Sequence, residues 1–182
     1  MWPIMDAAVL SRFGTQSDPP HPAGTPTYHY SMAVLDANLI APFKLGSLPL
    51  RYVSTLHGQY TNDVLYYLDS MTLGGRYTMR GFDGEVMLAA SSGFYWRNEL
   101  QAPLGQTNQA IYLGLDYGRV SGARPVALPG AQLLGAVVGL KGSIGTGAGQ
   151  YGYDVFAGVP VYKPTGFQTS RIAVGFQASA RF

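Results

Sequence analysis

The chain has 182 residues, the length of one domain. Charged residues make up only 12% of it, about half of the ~25% typical of soluble domains, while tyrosine (13) and glycine (24) are abundant. A net charge of +2 without a basic run argues against nucleic-acid binding. The lack of cysteine excludes disulfides, thiolate metal sites and cysteine nucleophiles.

Neither a transmembrane helix nor a leader is evident from the sequence. No stretch approaches the ~20 apolar residues that a membrane-spanning helix needs. The first residues, Met1–Asp6, lack the basic and apolar segments of a signal peptide. We therefore expect either that the chain is not exported or that an N-terminal part is missing.

The N-terminal half has weak alternation. Residues 1–26 are predicted to be irregular, with the end of one strand near residues 7–14 and four prolines between residues 14 and 26. The remainder, residues 27–182, is predicted to be one β unit. Its first strands are placed near residues 28–41, 50–61 and 66–77, with ambiguous faces.

The C-terminal half alternates clearly between apolar and polar or small residues, the pattern of a strand with two different faces. From residue 171 onwards the apolar face carries Ile172, Val174, Phe176, Ala178, Ala180 and Phe182. Residues 151–161, 134–140, 111–117 and 94–100 also alternate, although Asn98 interrupts one apolar face and the inner face of residues 134–140 is mixed. In these segments the opposite face carries, among others, Arg97, Glu99, Asp116, Lys141 and Asp154.

Turn-forming clusters separate these segments. They lie at residues 103–108, 122–130, 142–149 and 163–167. We count about eight strands in an antiparallel meander. Strands of this length with a lipid-type face must belong to a closed barrel, because unpaired backbone groups are not tolerated in lipid. A soluble barrel or sandwich is the alternative, disfavoured by the low charge and by the absence of a lysine-rich face.

Two motifs point to a more specific architecture. The segment from Leu73 to Glu85 contains two arginines, Arg76 and Arg80, and the residues Phe82 and Asp83. Its glycines are Gly74, Gly75, Gly81 and Gly84. It can fold compactly and present Arg80 to a partner, or it can be a flexible glycine-rich loop.

On the predicted strand at residues 111–118, alternation puts Gly114, Asp116 and Gly118 on the inner face. A carboxylate between two glycines leaves room for another part of the protein to approach closely. The same pattern also fits an aspartate that simply lines a water-filled pore.

Together these motifs resemble a family. The segment Gly74-Gly-Arg-Tyr-Thr-Met-Arg-Gly-Phe-Asp-Gly-Glu85 and the Gly114-x-Asp-x-Gly118 strand are similar to motifs of outer-membrane translocators that join periplasmic POTRA domains to a barrel. Within that superfamily the chain most resembles the two-partner secretion translocators, the haemolysin-activator and filamentous-haemagglutinin transporters. Thr78 and Met79 depart from the pattern, which commonly has valine before the arginine.

The resemblance implies a sixteen-stranded barrel, of which this chain is about the last eight strands, and a loop after the eleventh strand that folds into the lumen. It implies that Arg80, Gly81, Phe82 and Asp83 form a releasable latch on the inner wall, with Asp116, Gly114 and Gly118 as its partner and with Gly74, Gly75 and Gly84 shaping the loop. The terminal Phe182 resembles the signal read by barrel-assembly machinery, or it is an aromatic-belt residue.

The expected function is transport without catalysis. Residues 145–149 lack the full spacing of a nucleotide loop, no nucleophile elbow is present, and His21, His29 and His57 have no metal-ligand spacing, so neither an enzyme, a cofactor nor a metal is expected. The expected partners are a secreted exoprotein, outer-membrane lipid, barrel-assembly machinery, and an absent N-terminal barrel half with POTRA domains. The alternatives are a barrel-insertion factor, a passive porin and a non-functional gene remnant.

Overall fold

The fold is an antiparallel β-sheet that carries one long inward-folded loop, as seen in a computed structural model. The structure describes residues 2–17, 22, 24–105, 107–123, 129–147 and 149–181. Ten strands are described in this part of the chain: β1 (Ile4–Phe13), β2 (Ser31–Leu45), β3 (Leu48–Tyr60), β4 (Met71–Leu73), β5 (Leu88–Ala90), β6 (Ser92–Pro103), β7 (Gln109–Ser121), β8 (Gln132–Thr146), β9 (Gly149–Tyr162) and β10 (Ala173–Arg181). A 3-10 turn spans Tyr67–Asp69.

Eight strands form the main sheet in the order β1-β2-β3-β6-β7-β8-β9-β10, and every neighbouring pair is antiparallel. The predicted all-β antiparallel meander of about eight strands is confirmed. No helix in the described part of the chain is long and apolar enough to cross a membrane.

The two faces of the sheet differ as the alternation predicted. On β7, Leu113 is 63% exposed and Leu115 54%, whereas Tyr112 and Asp116 are buried. On β10, Val174 and Phe176 are equally open on the outer face. The outer face is therefore apolar and uncovered, and the inward loop covers the part of the inner face around Tyr112 and Asp116.

The connections fall into two classes. Residues 46–47, 104–108 and 147–148 join strands at one end of the sheet, while residues 14–30, 61–91, 122–131 and 163–172 join them at the other. Transmembrane barrels of the outer-membrane type have short turns on the periplasmic side and long loops outside. We refer to the two ends as the short-turn end and the long-loop end.

Three predictions about strands and turns were wrong or incomplete. The predicted strand at residues 66–77 is instead the 3-10 turn, the three-residue β4 and a loop. Met71 and Leu73 of this segment are buried in an apolar cluster against the inner side of the sheet and do not face lipid. The predicted turn at residues 142–149 is mostly strand, since β8 continues to Thr146 and β9 begins at Gly149. The strand expected to end near residues 7–14 is the full strand β1, so the total of eight still holds.

Some predicted features fall on residues that are not described. These are Phe182, residues 124–128 of the predicted turn at 122–130, and residues 18–21 and 23 of the proline-rich connection.

Candidate functional site: an inward loop fixed by a buried ion network

The loop between β3 and β6, residues 61–91 (the inner loop), lies against the inner face of the sheet. Its strands β4 and β5 pair with each other, with Met71 opposite Ala90 and Leu73 opposite Leu88. If the main sheet is the last eight strands of sixteen, β3 is the eleventh strand, and the inner loop is the one that the family resemblance places in the lumen.

The inner loop has its own apolar core. Buried residues from β4, β5 and the loop pack together with Val120 and Leu133 of the wall and with Phe167 of the connection from β9 to β10; the loop members are Met71, Leu73, Met79, Phe82, Leu88 and Ala90. Burying such side chains is favourable by ~1.5–3 kcal/mol each. This cluster holds the loop near the long-loop end of the sheet.

Arg80 is the main polar contact between loop and wall, and it is only 1% exposed. Its Nε donates to Asp116 Oδ2 at 2.8 Å and its Nη2 to Asp116 Oδ1 at 2.6 Å. The backbone N–H of Arg80 also donates to Asp116 Oδ2, at 3.0 Å. This bidentate geometry fixes both the position and the orientation of the guanidinium.

Burial alone would lower the pKa of Arg80, but the hydrogen bonds and charge of Asp116, together with the charge of Glu99, raise it above its ordinary value. The guanidinium is therefore charged at every physiological pH. A buried charge of this kind is tolerated only because it is paired and hydrogen-bonded.

A second carboxylate completes the surroundings of Arg80. Glu99 on β6 accepts a hydrogen bond from Arg80 Nη1, and its other oxygen accepts from Lys141 Nζ at 2.6 Å and from Gln101 Nε2 at 2.7 Å. Lys141 Nζ also lies 3.6 Å from Asp154 Oδ2.

Further contacts extend this network across the wall. Tyr112 donates its hydroxyl hydrogen to Asp154 Oδ1 at 2.9 Å, and its ring lies under Lys141 Nζ at 4.3 Å. Arg97 Nε lies 3.9 Å from Asp116 Oδ2, and Arg97 Nη1 donates to the carbonyl of Tyr77. Arg80, Arg97 and Lys141 thus face Asp116, Glu99 and Asp154, so the six charges sum to zero. We call these six side chains the ion network.

Glycines of the wall make the close approach feasible. A Cβ at Gly158 would lie 2.4 Å from the Arg80 carbonyl oxygen, and one at Gly135 would lie 3.0 Å from the Gly81 nitrogen. A Cβ at Gly114 would meet Arg80 Nη2 at 3.0 Å, and one at Gly118 would meet Leu73. Side chains at these positions would push the loop off the wall.

The loop tip is also held from the long-loop end. Phe82 packs edge-on against Phe167, with 5.8 Å between ring centroids. Asp83 accepts hydrogen bonds from the backbone N–H groups of Ser170 and Glu85. Burial alone would raise the pKa of Asp83, but these hydrogen bonds lower it to about 2.

The predicted site residues separate into two groups. Arg80, Gly81, Gly114, Asp116 and Gly118 meet at the wall, whereas Phe82 and Asp83 face the connection at residues 163–172. Gly74 and Gly84 have positive φ, which favours glycine, and Gly75 accepts the backbone hydrogen bonds of Thr78 and Met79.

Sequence reasoning did not single out Glu99, Lys141, Asp154, Tyr112 or Phe167. Alternation had placed the first four on the inner face, and that position was the available signal. Within the described residues, no three His, Asp or Glu side chains are grouped as metal ligands would be.

Comparison with known proteins identifies relatives of the chain. Residues 7–142 match the family model described as haemolysin secretion/activation protein ShlB/FhaC/HecB. The chain is 62% identical over 159 residues to the outer membrane transporter CdiB-2 of Burkholderia pseudomallei (strain 1026b), covering 87% of this chain and 27% of that protein. It is 28% identical over 174 residues to the outer membrane transporter CdiB of Dickeya dadantii (strain 3937), covering 93% of this chain and 30% of that protein.

Solved structures show the same fold. CdiB from Acinetobacter baumannii superposes with a TM-score of 0.73 at 28% identity, over 84% of this chain and 28% of that one. CdiB from Escherichia coli superposes with a TM-score of 0.76 at 21% identity, over 98% of this chain and 34% of that one. The chain thus spans about a third or less of the length of these relatives.

Proposed function

Because the chain belongs to the haemolysin secretion/activation (ShlB/FhaC/HecB) family, as the sequence motifs indicated, we propose that it forms part of the outer-membrane pore of a two-partner secretion system. In this proposal the complete pore exports a large β-rich exoprotein of the haemolysin or adhesin type. The chain itself has no enzymatic role and uses no cofactor. Its surroundings are outer-membrane lipid on the apolar face and water and substrate on the polar face.

The observation that carries the proposal is the inner loop fixed by Arg80 to a polar wall, in a sheet whose other face is apolar and exposed. A passive porin needs no such internal attachment. The contact between Arg80 and the wall can open in one step when a polypeptide passes, because losing the pairing geometry removes several hydrogen bonds together. Arg80, Gly81, Phe82 and Asp83 are then the latch, and Asp116 is its partner on the wall.

The test uses a hybrid transporter, in which this chain replaces the matching segment of the Burkholderia pseudomallei CdiB-2. We expect the hybrid to release the cognate exoprotein into the medium. We expect Arg80→Ala to abolish release while the hybrid still reaches the outer membrane and migrates as a folded, heat-modifiable barrel.

Two results would contradict this proposal. Secretion by the Arg80→Ala hybrid at the unsubstituted level would show that the latch has no role in export. Failure of the folded hybrid to release exoprotein, together with restored insertion of other barrels in cells depleted of their insertion factor, would favour the assembly-factor alternative.

A further inference from the structure

A polar recess lies on the inner wall at the short-turn end, below the inner loop. Its volume is about 600 Å³, and it extends from β3 to β10. Its lining is rich in side-chain amides and hydroxyls, among them Gln101, Gln177 and Ser179, and includes Arg51, Lys141 and Asp154. By the loop-length rule this is the periplasmic mouth, where a polypeptide on its way out would enter.

The chemistry of the recess fits an extended polypeptide. Amide and hydroxyl side chains offer both donors and acceptors, which is what the unpaired N–H and C=O groups of an extended backbone require. The lining residues do not form a large apolar surface, so a folded hydrophobic partner would gain little binding free energy there.

The charges of the recess add a preference. Asp154 is already engaged by Tyr112 and Lys141. Arg51 is exposed and makes no ion pair within the described part of the chain. Lys141 keeps part of its side chain accessible, at 28% exposure. Lys141 and Asp154 are already balanced within the ion network, so Arg51 is the cation that leaves the recess attractive to an additional carboxylate.

Lys141 also belongs to the ion network. Its Nζ is bound to Glu99, which in turn is bound to Arg80. A carboxylate arriving at Lys141 competes with Glu99 for the same ammonium group, so occupation of the recess changes the surroundings of the latch.

We propose that this recess binds an extended, carboxylate-bearing segment of the exported polypeptide, through Arg51 and Lys141 at the carboxylate and through amide and hydroxyl side chains along the backbone. This inference rests on the proposed export function. It gives that function an entry site, placed next to the charges that hold Arg80.

Photo-cross-linking in the hybrid transporter tests the entry site. A benzophenone amino acid at Ser179, inside the recess, is expected to cross-link to the exoprotein during export. The matched control is the neighbouring Ala180, whose side chain lies on the opposite, outer face of β10 and is expected to give no exoprotein product. Secretion by the unsubstituted hybrid is measured in parallel, so loss of the export function is recognised separately.

Charge variants test the recognition of a carboxylate. We expect Arg51→Gln to lower the cross-link yield at position 179 several-fold and Arg51→Lys to retain most of it. Arg51 lies outside the ion network, so the barrel and the latch should be unaffected. Heat-modifiability and outer-membrane yield check this.

Three outcomes would overturn the inference while leaving the export function intact. The first is a secreting hybrid with no exoprotein cross-link at position 179. The second is an equal yield at positions 179 and 180. The third is a cross-link from position 179 to the transporter itself that persists during export, which would show that the recess is filled by another segment of the complete protein.

Discussion

Asp116 and Glu99 hold the same arginine but contribute unequally. Asp116 is fully buried and accepts three hydrogen bonds from Arg80, two from its side chain and one from its backbone. Glu99 accepts one hydrogen bond from Arg80 and one each from Lys141 and Gln101. The geometry therefore makes Asp116 the principal acceptor and Glu99 a bridge to the rest of the wall.

We expect Asp116→Asn to loosen the inner loop more than Glu99→Gln does. Removing one charge of a buried pair costs ~3–5 kcal/mol, because the remaining charge stays desolvated. After Glu99→Gln, Arg80 keeps its bidentate partner. The measurement is the rate at which a protease cuts the inner loop in the folded hybrid, and a faster cut in Glu99→Gln than in Asp116→Asn would reverse the assignment.

Gly158 allows the inner loop to approach the wall closely, and a single substitution can test this role. A methyl group there would lie 2.4 Å from the Arg80 carbonyl oxygen, a backbone atom that cannot rotate away. We expect Gly158→Ala to displace the loop from the wall, raising its protease sensitivity and lowering export.

The matched control for Gly158→Ala is Gly145→Ala. A Cβ at Gly145, on the neighbouring strand β8, would meet nothing within 4 Å. The two variants carry the same change in strand propensity, so their difference reports the close contact with the backbone of Arg80 and Gly81. Equal behaviour of the two would mean that the loop does not need this close approach.

At the scale of elements, the inner loop is attached at two places of different chemistry. Arg80 fixes its tip to β6 and β7, and Phe82 with Asp83 fixes it to the connection at residues 163–172. Displacement of the loop requires both attachments to open, or the connection to move with it.

The apolar attachment depends on Phe167, which is 1% exposed and belongs to the core of the loop. We expect Phe167→Ala to destabilise the loop by ~3–5 kcal/mol, as for other buried phenylalanines. Hydrogen exchange of the inner-loop amides in detergent measures it. Phe176→Ala, on the outer face at 75% exposure, is the control and should leave that exchange unchanged.

The hydrogen bonds of Asp83 to the connection at residues 163–172 should weaken at low pH. The pKa of Asp83 is lowered to about 2 from an ordinary value of 3.8, so its stabilisation is complete above about pH 4 and is lost as the pH falls through 2. We expect exchange of the Ser170 amide, corrected for its intrinsic rate, to accelerate across this interval.

Asp83→Asn should abolish that acid dependence. Glu85→Gln, which removes an exposed carboxylate of the same loop, should preserve it. An unchanged profile in Asp83→Asn would place the acid response in another group.

The strands of the barrel wall were predictable from the sequence because lipid and water impose period 2 on residues 94–101, 111–118 and 151–161. The inner loop was not predictable, since β4 and β5 are only three residues long, too short to show alternation, and β5 is buried on both faces. The segment at residues 142–149 was mistaken for a turn because it is rich in glycine. Composition alone does not distinguish glycines on a strand from glycines in a loop.

The pairing of Arg80 with Asp116 could be anticipated only through the family motif. Its extension to Glu99, Lys141 and Asp154 could not, because alternation gives the face of a residue but neither its neighbours on adjacent strands nor the register. Phe167 was hidden for a similar reason: it lies in a connection, far along the chain from the loop that it stabilises.

At the scale of the whole molecule, the main sheet has two free edges, β1 and β10, among the residues that the structure describes. Each edge presents backbone donors and acceptors that lipid cannot satisfy, and an open edge is also a site for unwanted pairing. Covering them takes further strands, which fits a chain that spans about a third or less of its relatives.

We therefore expect this chain, refolded by itself into lipid vesicles, to give no heat-modifiable species and to be digested by protease. Refolding it together with the remainder of the Burkholderia pseudomallei CdiB-2 barrel should yield a protected, heat-modifiable complex, because β1 and β10 then find partners. The control is the same mixture with prolines in place of Val9 and Ala178, which removes backbone donors on the two edge strands. A stable, protected product from the chain alone would show that the edges close on each other, or on a second copy, and would give this molecule a pore of its own.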